Sequence, residues 1–390
     1  MDDVAIIGVG IHPFGRHGEK TAYEMAADAV EVALADAGVT WDDVKCAFGG
    51  SWAVWTDPVT ALIGLTGIPF TNVFNACATG AATIQQAANA IRAGSSDIVV
   101  AVGTDKHPRG AFKGDPAVTN VPLWYGDNGQ LVTTKFFGMK INKYMHDYGI
   151  SPMTLARVAA KNYRNGALNP NAFRRKPITE EEILSSAMLN HPLTAYMFCA
   201  PDEGAAAVVL CRADIAHRYT DTPIFVKATA IRTRNYGSYE VNTTWAPVEE
   251  DVSPTVYASR AAYEEAGIGT EDVDVIQIQD TDAGAEVIHM AENGFCANGE
   301  QEKLLARWQE EFPRLPIVPV ETKCDLVRRP NDRLHVSAKT GEGLEELWKE
   351  LRARFAPREP MPAVEEAIEA PDEVEPEPPR PRRRASGRPM

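Results

Sequence analysis

Nowhere in the 390 residues is there a run of about 20 apolar side chains, so the sequence offers no segment to span a bilayer. Its start, Met1-Asp2-Asp3 leading straight into Val4-Ala5-Ile6-Ile7, lacks the cationic and apolar regions of a secretory signal. The six cysteines, at 46, 77, 199, 211, 296 and 324, form no C-x-x-C pair. That scatter argues against a disulfide framework or a zinc ribbon and for a reduced, cytoplasmic setting. Positive charge is short as well. Thirty-nine Lys and Arg against 54 Asp and Glu leave a net −15, the wrong sign for a chain that must displace counterions from nucleic acid. Asp280 and Asp282 form an Asp-x-Asp pair with no further ligands in context, and no metal is expected.

What the chain does have is an ordinary globular composition, 44% hydrophobic and 24% charged, at a length that predicts two domain-sized units or a pseudo-symmetric pair. Strand and helix signals alternate. Val4–Val9 is a short β-branched run, and Ala22–Ala37 carries apolar residues at helical spacing with Gly38 as its stop. Val44–Phe48, Asn72–Phe74, Ile98–Val102, Glu203–Cys211 and Ile224–Arg232 read as strands, with a small-residue helix from Ala81 to Ala93. Such an order predicts an α/β sheet with helices on its faces. Residues 105–195, rich in glycine and aromatics, read as a long cap or loop region with short helical patches such as Pro152–Tyr163.

One internal repeat stands out. Residues 33–44 align without gaps on 262–273, a constant offset of 229, with five of twelve positions identical. Each copy is a helix end, a glycine stop, an acidic turn and a strand start, which predicts two similar halves packed together. The end of the chain differs from the rest. From Pro357 on, nine of the 27 prolines fall within 34 residues, and an acidic block, Glu365 to Glu377, precedes Arg380-Pro381-Arg382-Arg383-Arg384. With so little to bury, residues 357–390 are expected to form a disordered tail.

Cys77 is the most informative single residue. It lies between a predicted strand and the start of a helix, within Asn75-Ala76-Cys77-Ala78-Thr79-Gly80. A thiol at a helix N-terminus meets the positive end of the dipole, which favours the thiolate, and small neighbours let a substrate approach. The same residue types also suit a buried, inert cysteine. Local features leave both readings open.

The Asn75 to Gly80 stretch, the duplication, and Phe198-Cys199-Ala200-Pro201-Asp202-Glu203-Gly204 followed by Ala205 to Leu210 together resemble the thiolase superfamily. The segment from Gln279-Asp280-Thr281-Asp282 through Glu286 and His289 to Cys296 is similar to the aldolase-like members of its lipid-transfer-protein, or sterol-carrier-type, branch. The resemblance covers roughly residues 3–305 and implies a pseudo-duplicated α-β-α-β-α fold. The N-terminal half would be 1–220, including the 105–195 cap, with a partial second half at 221–305. It also implies an acyl-CoA thioester as substrate with no further cofactor, a homodimer, and an OB-fold partner subunit of the DUF35 type. Carried onto this sequence, Cys77 falls at the acyl-accepting nucleophile, with Asn75, Thr79 and Gly80 beside the substrate. Gln279 and Asp280 fall beside the thioester oxygen, and His289 is a further candidate base. Gln279 departs from the His or Asn common there, which leans away from thiolysis and toward retro-aldol cleavage, with an amide still able to donate to an oxyanion.

After Leu305 the thiolase pattern stops, and no Gly-His-Pro cluster follows. Residues 312–356 resemble instead the last β-α segment of a Ras-like GTPase. Thr322, Lys323 and Asp325 stand for the guanine-reading element, with Ser337, Ala338 and Lys339 for the next one. No G-x-x-x-x-G-K-[ST] loop accompanies them, so nucleotide hydrolysis is not expected. The expected function is C–C bond cleavage or acyl transfer on an acyl-CoA, in lipid or steroid side-chain degradation. The alternative is a non-catalytic acyl-CoA or lipid-binding subunit, because the second catalytic cluster is absent.

Overall fold

The computed structural model of the chain describes residues 3–51, 56–110, 112–119, 121–235 and 252–311. All of them belong to one compact unit, Met1–Arg329. The GTPase-like segment 312–356, with its Thr322, Lys323, Asp325, Ser337, Ala338 and Lys339, and the 357–390 tail lie outside the described residues.

Six strands form the central sheet: β1 (Val4–Gly15), β2 (Cys46–Gly50), β3 (Phe70–Val73), β4 (Ile98–Lys106), β5 (Glu203–Arg212) and β6 (Ile224–Phe225). Their order is β3-β2-β4-β5-β1-β6. β2 pairs parallel with β3 and β4, while β5 runs antiparallel to both β4 and β1. Side chains alternate between the two faces, as the pleat demands. Ala5, Ile7, Val100, Val102 and Val209 pack against helix α1 (Ala22–Ala37), and Val4, Val99, Ala101 and Leu210 pack against Ala87, Ala88 and Ile91 of α2 (Thr79–Arg92). The result is an α-β-α sandwich. No described helix is long and apolar enough to cross a membrane.

Helix α1 starts and stops where its sequence dictates. Thr21 and Glu24 form a capping box, and Gly38 closes the helix at φ +66°, a conformation that favours glycine. The helix also lies directly on β1. A Cβ at Gly10 would sit 2.1 Å from the Ala29 carbonyl oxygen, and one at Gly8 would sit 2.4 Å from that of Ala33. Only glycine permits that approach.

Where a loop-rich cap was expected, the chain is largely helical. Helices α3 (Thr133–Tyr148) and α4 (Pro152–Leu168) share a hydrophobic core with α6 (Ala283–Glu292) and α7 (Gln301–Glu311). Leu155, Ile183, Leu193, Val287 and Met290 fill it. Gly138 and the aromatics of 133–148 weaken the helical signal of the sequence, and tertiary packing decides the outcome.

Two strand expectations are corrected. Of Ile224–Arg232 only Ile224 and Phe225 join the sheet, and Thr229 instead offers its carbonyl to the Gln85 side chain at 2.8 Å. The repeat is reproduced locally. Helix α5 (Pro254–Ala266) ends at Gly267, φ +68°, followed by a 3-10 turn at Thr270–Asp272, each 229 positions beyond Ala37, Gly38 and the turn Trp41–Asp43. In the first copy Ala33, Leu34, Ala37, Trp41 and Val44 are buried, whereas α5 buries none of its residues, and 273–280 forms no strand. Among the described residues no strand lies against the second helix, which keeps the local shape without the buried face.

Candidate functional site

Strand β3 lies at the sheet edge and leads into a 3-10 turn, Ala76–Ala78, that carries Cys77 to the foot of α2. Ala76 adopts φ +45°, the one left-handed non-glycine residue among those described. Thr79 builds the turn: its hydroxyl accepts from the Asn75 amide at 2.8 Å and donates to the Ala76 carbonyl at 2.7 Å. The Asn75 amide and Thr79 hydroxyl are therefore engaged within the turn. The space above Gly80 is open, and the Cys77 thiol is exposed.

A cavity of about 570 Å³ lies elsewhere, between the sheet end and the helical cap. Phe14, Phe112, Tyr163, Arg174, Cys199 and Asp280 are among its walls. Cys77 lines neither this cavity nor a smaller one of about 90 Å³ that shares Asn162 and Asp280 with it. Main-chain pairing brings the distant segments of the wall together. Cys199 donates its amide to the Thr281 carbonyl at 2.9 Å, and Phe198 bridges Asp282.

Asp280 is the centre of an ionisable cluster. Asn162 donates to Asp280 Oδ2 at 3.0 Å and to Glu286 Oε2 at 2.7 Å, and Lys161 pairs with the other Glu286 oxygen. The Lys161 and Glu286 side chains are 14% and 5% exposed, so this ion pair is largely out of water. Asp280 lies on the cavity wall with its side chain exposed there, and protein crowds around it. That crowding and the neighbouring Glu286 push its carboxyl up to about 7, against the opposing pull of Lys161. The Cys199 thiol is pushed up to about 11, first by loss of water and then by Asp280, so it is a neutral thiol at physiological pH.

Asp282 is a helix cap. Its Oδ1 accepts from the amides of Gly284 and Ala285 at 2.8 and 3.0 Å, while burial lifts it to about 6. Among the described residues no group of three or more His, Cys, Asp or Glu is arranged to hold a metal ion.

Gln279 turns its amide to the Thr281 hydroxyl and lines neither cavity. His289 braces it from behind. His289 Nδ1 lies 3.1 Å from the Gln279 carbonyl and Nε2 lies 3.6 Å from Glu292, and burial lowers the ring's proton affinity. Set between these two oxygens, the ring fixes the loop that carries Asp280.

Asn162, Lys161, Glu286 and Cys199 escaped the sequence reading as site residues. The signal available was a Lys-Asn pair inside the buried run of α4 and the Asp282/Glu286 spacing on one face of α6.

Comparison with known proteins gives a consistent picture. Residues 4–181 match the thiolase N-terminal domain, and residues 243–320 match the thiolase C-terminal domain-like family. The second match runs past Leu305 and corrects the expectation that the thiolase pattern stops there. Acetyl-CoA acetyltransferase of Methanothermobacter thermautotrophicus is 31% identical over 310 residues, covering 77% of this chain and 79% of that protein. Benzoylsuccinyl-CoA thiolase subunit BbsB of Thauera aromatica is 28% identical, covering 77% and 78%. Sterol carrier protein 2 of Gallus gallus is 28% identical across 79% of this chain, which spans 59% of that longer protein. Among solved structures, an Ltp2-ChsH2(DUF35) aldolase superposes with a TM-score of 0.71 at 24% identity, covering 80% of this chain and 82% of that one. A monomeric SCP2-thiolase-like protein type 1 from Mycobacterium smegmatis gives 0.59 at 17% identity, covering 76% and 64%. The GTPase-like reading of 312–356 has no support in these comparisons.

Proposed function

The chain belongs to the thiolase family, and from that premise we propose that it cleaves the C2–C3 bond of a 3-hydroxyacyl-CoA by retro-aldol chemistry in the Asp280 cavity. The reaction balances without an oxidant. A base takes the hydroxyl proton, C3 becomes a carbonyl, and the electron pair of the broken bond passes into a thioester enolate. The enolate takes a proton at C2, leaving a shortened acyl-CoA. Asp280 is the group we assign to that last transfer. One observation carries the reading: Asp280, bonded by Asn162 at 3.0 Å on the wall of a cavity of about 570 Å³, is a carboxyl pushed up to about 7, so part of it is protonated at neutral pH. Coenzyme A enters only as part of the substrate. A homodimer, and an OB-fold subunit of the DUF35 type completing the site, belong to the same reading, as does a lipid or steroid side chain as the acyl group.

The test is product analysis with the whole chain and a 3-hydroxyacyl-CoA bearing a tertiary alcohol. Wild type is expected to release carbonyl compound and shortened acyl-CoA in equal amounts, and Asp280→Asn to lose at least about a hundredfold in rate. Tight binding without either product would instead favour a non-catalytic acyl-CoA-binding subunit.

A second reading, acyl transfer through Cys77, is favoured by the left-handed Ala76 that lifts an exposed thiol at the foot of α2. Intact-mass measurement after incubation with acyl-CoA checks it. An adduct present in wild type and lost in Cys77→Ala supports transfer, and its absence in wild type removes this reading.

A further inference from the structure

Retro-aldol cleavage moves two protons, one off the hydroxyl and one onto C2, and Asp280 accounts only for the second. The lining of the same cavity holds a histidine that the thioester-centred motifs do not include. His107 follows directly on β4, and both it and Phe112 line the cavity. Its Nε2 lies 3.4 Å from Asp105 Oδ1, the same oxygen that accepts from the hydroxyl of buried Ser51 at 3.1 Å. The Phe112 ring packs edge-on at 4.6 Å, which restricts rotation of the imidazole. The backbone is held too, because Arg16 donates to the His107 carbonyl at 2.6 Å.

A carboxylate 3.4 Å from Nε2 favours the tautomer that carries its proton there. Nδ1 then holds a lone pair, and among the described residues it has no hydrogen-bond partner. This is how a carboxylate prepares a histidine to accept a proton: it orients the ring and stabilises the imidazolium that forms. Resting on the retro-aldol reading, we propose that His107, beside an Asp105 that Ser51 in turn holds, is the base that takes the substrate's 3-hydroxyl proton in the cavity that Asp280 also lines. The proton moves from the hydroxyl to Nδ1 as the C2–C3 bond breaks, and returns to solvent when the carbonyl product leaves.

Two readouts on the whole chain separate the two groups. One is cleavage of a 3-hydroxyacyl-CoA. The other is exchange of C2 hydrogen for deuterium in the shortened acyl-CoA, which has no hydroxyl and requires only the group at C2. For His107→Ala the expected result is cleavage reduced at least about a hundredfold, deuterium exchange retained, and cleavage partly restored by added imidazole. Asp105→Asn is expected to weaken cleavage in the same direction and to spare exchange. Asp280→Asn loses both. Wild-type cleavage in His107→Ala, or joint loss of cleavage and exchange without imidazole rescue, overturns the role of His107. A wild-type chain that does not cleave at all overturns the retro-aldol reading itself, and the role of His107 with it.

Discussion

Asn162 reaches Asp280 across 118 positions of sequence with a 3.0 Å hydrogen bond, which ties helix α4 to the carboxyl on the cavity wall. An N–H donated to a carboxylate favours its charged form. Burial and Glu286 act the other way and prevail, lifting Asp280 to about 7. The protonated form therefore predominates below that pH and is lost as pH rises through it. Cleavage that depends on proton donation from Asp280 is expected to decline above about pH 7. In Asn162→Ala the ionised form loses a donor, so the declining limb moves to higher pH. A pH–rate profile of both proteins checks the direction of the displacement.

The buried pair Lys161–Glu286 supports the same site. Removing one partner of a largely desolvated pair strands the other charge, at a cost of about 3–5 kcal/mol. Lys161→Ala is expected to lose stability on that scale by chemical denaturation. Lys161→Met combined with Glu286→Leu is expected to recover most of it, because no lone charge then remains. An unaltered midpoint in Lys161→Ala would mean that the pair is hydrated in solution.

Gly10 sets how closely α1 sits on the sheet. A methyl group there meets the Ala29 carbonyl oxygen at 2.1 Å and the Ala33 nitrogen at 2.5 Å, both main-chain atoms of the helix. Neither can rotate aside, so Gly10→Ala must shift the helix and is expected to cost about 1–3 kcal/mol or more. A thermal melt of the variant checks this, with a melting temperature equal to wild type as the contrary result.

Ala76 holds a left-handed conformation that costs an L-residue about 1–2 kcal/mol relative to ordinary backbone. Ala76→Gly removes that cost in the turn, partly offset by the greater freedom of glycine in the unfolded chain. The variant is expected to melt at or slightly above wild type. Slower alkylation of Cys77 in the variant would show that the rigid turn presents the thiol.

Much of the first half was legible because local and global signals agree there. The apolar spacing of 22–37, its glycine stop and the β-branched runs at Val4 and Ile98 all describe elements buried on the faces that the sequence marks. The repeat was legible as a shape, since Gly267 and the Thr270–Asp272 turn follow Gly38 and Trp41–Asp43, but not as packing, because among the described residues α5 has no sheet to cover. Cys77 and Asp280 were singled out in the sequence through motifs. Their separation was not legible, because the cluster around Asp280 depends on Lys161 and Asn162, more than a hundred residues earlier, and on a helical cap whose packing overrides weak propensity. His107 was missed for the same reason: its role depends on Asp105 and Ser51 at the ends of two neighbouring strands.

The central claim is that C–C cleavage runs in the Asp280 cavity and not through an acyl-cysteine. The most direct measurement is the steady-state cleavage rate of one 3-hydroxyacyl-CoA by wild type, Asp280→Asn and Cys77→Ala, each as the whole chain. The expected result is a loss of at least about a hundredfold in Asp280→Asn and a rate within about twofold of wild type in Cys77→Ala. Loss of cleavage in Cys77→Ala with Asp280→Asn unaffected would contradict the claim and place the chemistry at the foot of α2.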